Sequence, residues 1–115
     1  RVTEVPSSLD INQEYYPKNN SCVELAPMPT KTSGVAAVSV EGNVYVMGGE
    51  KISGSFSTLE KYDPKSDNWT TEPDMPTARL GLDAVNLDDK IYAIGGKTNQ
   101  SSKSATNTSE IFFPN

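Results

Sequence analysis

The sequence contains no histidine. Histidine is the commonest general base and metal ligand in enzymes, so its absence excludes Ser-His-Asp and Cys-His catalysis within this chain. A phosphate-binding glycine loop is also missing, because both Gly-Gly pairs follow apolar segments with no helix behind them. We therefore predict that the chain is not an enzyme and holds no metal and no cofactor.

Cysteine is almost absent too, since Cys22 is the only one. Neither an intrachain disulfide nor a cysteine-rich zinc site can form. Only Lys18 offers a nearby positive charge to activate the thiol, so we expect Cys22 to be a buried structural residue. One cysteine suits a reducing compartment, which favours a cytoplasmic location. The alternative is an extracellular, glycosylated protein, because Asn-x-Ser/Thr sequons occur at four asparagines: Asn19, Asn68, Asn99 and Asn107.

Basic residues are too few for a nucleic-acid partner, because the formal net charge is −5 and phosphate binding depends on clustered Lys and Arg. No apolar run approaches the about 20 residues of a membrane-spanning helix, so no membrane partner is expected. The chain begins at Arg1 rather than Met, which is expected of a processed protein or a piece of a larger one.

An internal repeat is the main feature that the sequence does have. A shift of 47 positions places Met28-Pro29-Thr30 on Met75-Pro76-Thr77, Tyr45 on Tyr92 and Gly48-Gly49 on Gly95-Gly96. Each unit reads as four short strands, as in "GVAAVSV", "NVYVMGG", "TLEKYD" and "NWTTEP". A repeat of this length built from four antiparallel strands is typical of a β-propeller blade, so we predict an all-β fold of propeller blades.

The run "LEKYDPKSDNWTTEPDMPTARLGLDAVNLDDKIYAIGGK" resembles the kelch repeat in its tyrosine, tryptophan, Met-Pro and Gly-Gly, taken in that order. The resemblance covers residues 9–115. It departs from the family pattern at Cys22, in a tryptophan position, at Phe112, in a tyrosine position, and at Thr32, where kelch units often carry arginine.

Blade boundaries follow from this alignment. We predict that residues 1–25 are the outer strands of a preceding blade, that 26–73 form a complete blade, and that 74–115 form a second blade without its last strand. The result is an incomplete ring of about two blades. Such a chain is either a fragment of a larger propeller or a homo-oligomer whose copies close a ring head to tail.

Candidate site residues come from the loops that kelch propellers use to bind protein partners. Arg79 is the sharpest candidate, because its planar guanidinium suits a carboxylate or phosphate on a partner; the alternative is an internal pair with Glu60 or Glu110. The predicted partner-binding residues are Thr32, Ser33, Glu50, Arg79, Leu80, Lys97 and Asn99. The predicted structural residues are Gly48, Gly49, Gly95 and Gly96, where backbones crowd, and Tyr62 and Trp69, which pack between blades.

The resemblance implies three possible functions. The first is a non-catalytic protein-interaction module that recruits a partner or substrate, as in adaptors of cullin ubiquitin ligases. The second is an actin-binding, structural kelch protein. The third is part of a secreted carbohydrate-acting or sugar-binding propeller, because some kelch propellers are enzymes, including galactose oxidases and sialic-acid epimerases.

Overall fold

The computed structural model describes residues 8–51 and 54–114. Within these residues the fold is all-β, with no α-helix and a single 3₁₀ turn at Ser102–Ser104. The strands are β1 (Asn12–Tyr16), β2 (Ser21–Leu25), β3 (Ala36–Val40), β4 (Asn43–Met47), β5 (Glu50–Lys51), β6 (Gly54–Ser55), β7 (Leu59–Asp63), β8 (Asn68–Glu72), β9 (Asp83–Leu87), β10 (Lys90–Ile94) and β11 (Ser109–Phe112).

One complete blade lies in the middle of the chain. It is a four-stranded antiparallel sheet in the order β3-β4-β7-β8. Its first hairpin turns at Glu41 and Gly42, which both adopt positive φ, of 50° and 85°. Two-residue hairpins need this left-handed conformation, which matches the twist of the strands. The second unit places Asp88 and Asp89 at the same turn with the same sign of φ.

Incomplete sheets flank this blade. Before it, β1 and β2 form a two-stranded sheet, and after it β9, β10 and β11 form a three-stranded one. In the 47-residue alignment, β1 and β2 correspond to the third and fourth strands of the complete blade, β7 and β8. The strands β9, β10 and β11 correspond to its first three strands, β3, β4 and β7. Head-to-tail joining of two copies would thus bring five strands to a blade that holds four. The predicted boundaries between blades, after residue 25 and after residue 73, stay a prediction.

Repeated backbone hydrogen bonds confirm the 47-residue spacing in three dimensions. Thr32 N donates to Leu9 O at 3.0 Å, and Arg79 N donates to Phe56 O at 3.0 Å. Likewise, Met28 N donates to Asp10 O and Met75 N to Ser57 O, each at 2.8 Å. The repeat therefore extends back to residue 9, although the side chains Leu9 and Phe56 differ.

The core lies between the complete blade and the blade that follows it. Met47, Leu59 and Ile91 are almost completely buried, and the rings of Tyr45 and Phe112 meet with their centroids 6.0 Å apart. Inner strands β3 and β9 lie side by side, and Asn86 Nδ2 donates to Ser39 O at 2.9 Å across them. Most of the hydrophobic stabilisation of the described chain comes from this interface.

Of the residues that the structure describes, the hairpin β1–β2 and the linker 26–35 lie on the other side of the complete blade and leave a cleft of about 570 Å³, lined by Met28, Val44 and Val46 among others. Cys22 lies on β2 and is exposed. Our expectation that its thiol is buried is therefore wrong for this chain. The physical reason is that no inner strands of the first blade are present among the described residues to cover the hairpin.

Candidate functional site

Loops gather at the two ends of the sheets. At one end, which we call the loop edge, the connections between second and third strands (48–51 with 54–58, and 95–108) meet the linkers that enter each blade (26–35 and 73–82). The opposite end, the turn edge, carries only the short hairpin turns. This separation follows from the antiparallel order of the strands, which sends alternate connections to opposite ends.

Backbone pairing brings most of the predicted site residues together at the loop edge. Glu50 N donates to Ser33 O at 2.8 Å, and their side chains meet at 3.4 Å. In the next unit, Leu80 and Lys97 exchange backbone hydrogen bonds of 2.8 and 2.9 Å. Each linker is thus tied to the residue that follows a Gly-Gly. Asn99 lies apart from these pairs and is exposed.

The Gly-Gly pairs allow this close approach. A Cβ placed on Gly48 would lie 2.5 Å from Arg79 O, and one on Gly49 would overlap Thr32 Oγ1. Gly49 N donates to Arg79 O at 2.8 Å, so the two backbones are in direct contact. Both glycines also have positive φ, of 73° and 121°, which other residues rarely adopt.

Arg79 is completely buried rather than presented to a partner. Its Nη2 forms a 2.7 Å ion pair with Glu110 Oε1, and its Nη1 donates to the backbone oxygens of Ala93, Gly95 and Thr108 at 3.3, 3.0 and 3.3 Å. Of the two alternatives that the sequence left open, the geometry matches the internal pair. The guanidinium fastens the linker to strands β10 and β11, and its donors are used within the blade.

Two other predicted residues offer little side chain to a partner. Thr32 and Leu80 are buried, with 7% and 9% of their surface exposed. Ser33, Glu50 and Lys97 are partly exposed. The accessible part of the predicted set therefore consists of Ser33, Glu50, Lys97 and Asn99.

A glutamine clasp joins the two long loops of the loop edge. Gln100 Nε2 donates to Lys51 O at 2.5 Å and to Gly54 O at 3.0 Å, and Ser55 Oγ donates to Thr98 O at 2.8 Å. Ser101 caps the 3₁₀ turn by accepting from Lys103 N. No sequence pattern points to Gln100, because the Ser/Thr/Asn-rich segment around it is equally typical of an unstructured insertion.

A second set of contacts ties the first hairpin to the complete blade. Ala26 N donates to Asp67 Oδ1 at 2.9 Å, and Trp69 Nε1 donates to Ala26 O at 2.9 Å. The ring of Trp69 packs on that of Tyr62, with centroids 5.0 Å apart. Tyr62 and Trp69 thus lie where one unit meets the next.

The hydroxyl of Tyr62 donates to Asp67 Oδ1 at 2.6 Å. This hydrogen bond raises the pKa of Tyr62 to about 12, and it lowers the pKa of Asp67, which Ala26 N lowers further. The previous unit repeats the contact, with Tyr15 OH donating to Asn20 Oδ1 at 2.8 Å. An uncharged amide therefore takes the place of the carboxylate there.

Charge is distributed unevenly between the ends of the sheets. The loop edge carries four accessible lysines, Lys31, Lys51, Lys97 and Lys103, and two accessible carboxylates, Glu50 and Asp74. The turn edge is more acidic, because its lysines Lys18 and Lys65 are outnumbered by carboxylates: Glu41, Asp63, Asp67, Asp88 and Asp89. Among the described residues, no group of three or more Asp, Glu or Cys side chains is placed to hold a metal ion. The described part of the chain also has no helix of the length and apolarity needed to cross a membrane.

Comparison with known proteins identifies the repeat. Residues 31–76 match the family model of the Kelch motif. This segment is therefore similar to a kelch repeat. The solved structure of YjhT superposes on 85% of this chain with a TM-score of 0.64 and 19% sequence identity. The predicted kelch resemblance and the all-β propeller class are confirmed.

The chain spans only 37% of the length of YjhT, and at this identity the likeness establishes a shared fold alone. Comparison with curated proteins gave no significant match. The kelch motif covers the complete blade and the linker that leaves it, which contains Met75 and Pro76.

Proposed function

We propose that this chain is the partner-recruiting part of a kelch propeller and binds a protein through the loop edge, as the propellers of cullin ubiquitin-ligase adaptors bind substrates. The observation that carries the proposal is the set of hydrogen bonds from Gln100 and Ser55, which joins the described parts of loops from two successive units. Loops held in fixed positions on a rigid scaffold bind partners without a large entropic cost.

The charges of the loop edge favour a partner with an acidic surface. Its four lysines, Lys31, Lys51, Lys97 and Lys103, outnumber the carboxylates Glu50 and Asp74, although the whole chain has a formal net charge of −5. A local basic surface on an acidic molecule steers an acidic partner to one edge. No specific observation favours actin binding or action on a carbohydrate.

A site-specific photo-crosslinker at Asn99, compared with one at Lys65 on the turn edge, tests the proposal in cells. The protein that crosslinks at position 99 is then purified, and its affinity is measured for the unmodified chain and for the double variant Lys51→Glu/Lys103→Glu. We expect this variant to bind roughly tenfold more weakly than the unmodified chain, because two exposed charges are reversed. The matched variant Lys18→Glu/Lys65→Glu, on the turn edge, is expected to bind almost as tightly as the unmodified chain. Equal affinities for the two double variants would contradict the proposal.

Completion of the ring is also proposed, either by further sequence of the same protein or by other copies of the chain. The five strands that two copies would bring to one blade favour further sequence. The solution mass measured by light scattering distinguishes these routes, because a closed ring of copies has one defined mass.

The cytoplasm remains the proposed location, with the extracellular alternative. All four sequon asparagines are exposed, so the alternative is sterically open.

A further inference from the structure

The two repeats hold a carboxylate in the same way. Thr30 Oγ1 donates to Glu60 Oε2 at 2.6 Å, and Thr77 Oγ1 donates to Glu110 Oε2 at 2.6 Å. The two glutamates also face equivalent strand neighbours, since Glu60 pairs with Val46 and Glu110 with Ala93. Each carboxylate is therefore held through one oxygen by a threonine of the linker that enters its blade.

Within the described part of the chain, a cation binds the other oxygen in the second repeat and not in the first. There, Arg79 Nη2 binds Glu110 Oε1. In the first repeat, Thr32 occupies the backbone position equivalent to Arg79, as the matching bonds to Leu9 and Phe56 show. No described Lys or Arg lies within 4 Å of Glu60, although this residue is only 4% exposed. A buried carboxylate without a cation is costly, because burial removes its hydration.

Oxygens equivalent to the other partners of Arg79 are also present. Gly95 N donates to Thr108 O, and in the first repeat Gly48 N donates to Thr58 O, so the two pairs of strands superpose there. The carbonyl groups of Val46, Gly48 and Thr58 thus correspond to the three that accept from Arg79. Threonine is smaller than arginine by about one guanidinium group, and Thr32 does not fill the same volume.

A largely apolar cleft lies on the same face of the sheet as this carboxylate. Because Val46 lies directly opposite Glu60 on the neighbouring strand, the two side chains share a face of the sheet. Val46 also lines the cleft of about 570 Å³, together with Met28 and Val44. Val46 is larger than Ala93 and adds an apolar wall beside the carboxylate. A ligand suited to both parts has a guanidinium head and a short apolar stem.

We propose that Glu60, with the surrounding carbonyl groups, forms a binding niche for an alkylguanidinium group, such as the side chain of an arginine. The bound guanidinium gives Glu60 the charge-assisted partner that Arg79 gives Glu110. This inference does not depend on the protein-recruiting function of the loop edge, because it concerns the face of the blade that lines the cleft.

Methylguanidinium chloride tests the niche directly on the full chain. Thermal unfolding is followed by the fluorescence of Trp69, the only tryptophan, with added salt matched by NaCl. If the dissociation constant is about 5 mM, 20 mM ligand raises the Tm by about 4 °C, and the rise saturates. At this concentration the denaturing action of guanidinium compounds is negligible.

Two variants locate the effect. Glu60→Gln removes the charge and is expected to abolish the ligand-dependent rise. Thr32→Arg copies the second repeat, and we expect a higher Tm without ligand and no further rise with it. A third arm replaces methylguanidinium by a peptide containing one arginine, which distinguishes a free small cation from an arginine on a polypeptide.

Several results would overturn the proposal. These are a rise of the same size in Glu60→Gln, no saturable rise in the unmodified chain, and a lower Tm for Thr32→Arg. Because Thr32→Arg reports on the niche without any added ligand, the proposal stays testable even if Glu60→Gln does not fold.

Discussion

Replacing Arg79 by methionine is expected to destabilise the chain by about 3–5 kcal/mol, which is the usual cost of removing one partner of a buried ion pair. Methionine keeps most of the apolar stem and deletes the charge. Arg79 is completely buried, and the side chain of Glu110 is 17% exposed, so solvent screens the remaining carboxylate only partly.

The individual contacts account for this magnitude. The 2.7 Å bond from Nη2 to Glu110 is short and charge-assisted, and such bonds contribute about 1.5–3 kcal/mol. The bonds to Ala93 O and Thr108 O, both 3.3 Å, add little. The rest of the loss comes from leaving Glu110 with Thr77 as its remaining described partner. A domain of this size has only about 5–15 kcal/mol of stability, so the loss is large.

Urea unfolding followed by Trp69 fluorescence measures the change, with circular dichroism as the test of two-state behaviour. The double variant Arg79→Met/Glu110→Gln isolates the pair, and we expect a coupling energy of about 2–3 kcal/mol. Lys65→Met is the matched control, because Lys65 is an exposed turn residue and its loss is expected to stay within about 0.5 kcal/mol. If Arg79→Met lowers the free energy of unfolding by less than about 1 kcal/mol, the buried ion pair of Arg79 and Glu110 does not stabilise the second blade as expected.

Two further predictions concern the glycines and the pH dependence. Gly48→Ala is expected to destabilise the chain by at least about 2 kcal/mol more than Gly81→Ala, because both glycines have positive φ but only a Cβ at 48 would collide with Arg79 O. Equal urea midpoints for the two variants would show that the close approach costs nothing. The pKa of Tyr62, raised to about 12 by Asp67, means that the folded chain holds this proton more tightly than the unfolded chain. Its contribution to stability is therefore complete below about pH 10 and is lost as the pH rises toward 12, and a Tyr62→Phe variant should lack this part of the alkaline loss.

Much of the architecture could be predicted from the sequence. The 47-residue spacing, the Gly-Gly pairs and the strand patterns are local or periodic signals, and each is a direct consequence of backbone geometry. Hairpin turns at Glu41-Gly42 and Asp88-Asp89 follow from the same local preference. These features need no knowledge of what lies across the blade.

The roles of individual side chains depended on the tertiary structure. The sequence left Arg79 with two alternatives, because a guanidinium binds an internal or an external carboxylate equally well, and only the folded chain places Glu110 at 2.7 Å. Cys22 was expected to be buried by analogy with Trp69, yet the strands that would cover it are not among the described residues. Gln100 and Ser55 find their partners across loops more than forty residues apart in sequence, which no local pattern reports.

The sequence by itself determined the repeat, the strand order and the crowded glycine positions, because these depend on φ, on alternation and on period. The tertiary structure decided which buried carboxylate has a cation. Glu60 and Glu110 occupy equivalent positions and each accepts from a threonine, but among the described residues only Glu110 is paired with an arginine. The difference between the two glutamates depends on the linker residue beside each, which is Thr32 in the first repeat and Arg79 in the second. A carboxylate without a cation costs free energy only when it is buried, and the burial of both glutamates is a property of the folded chain.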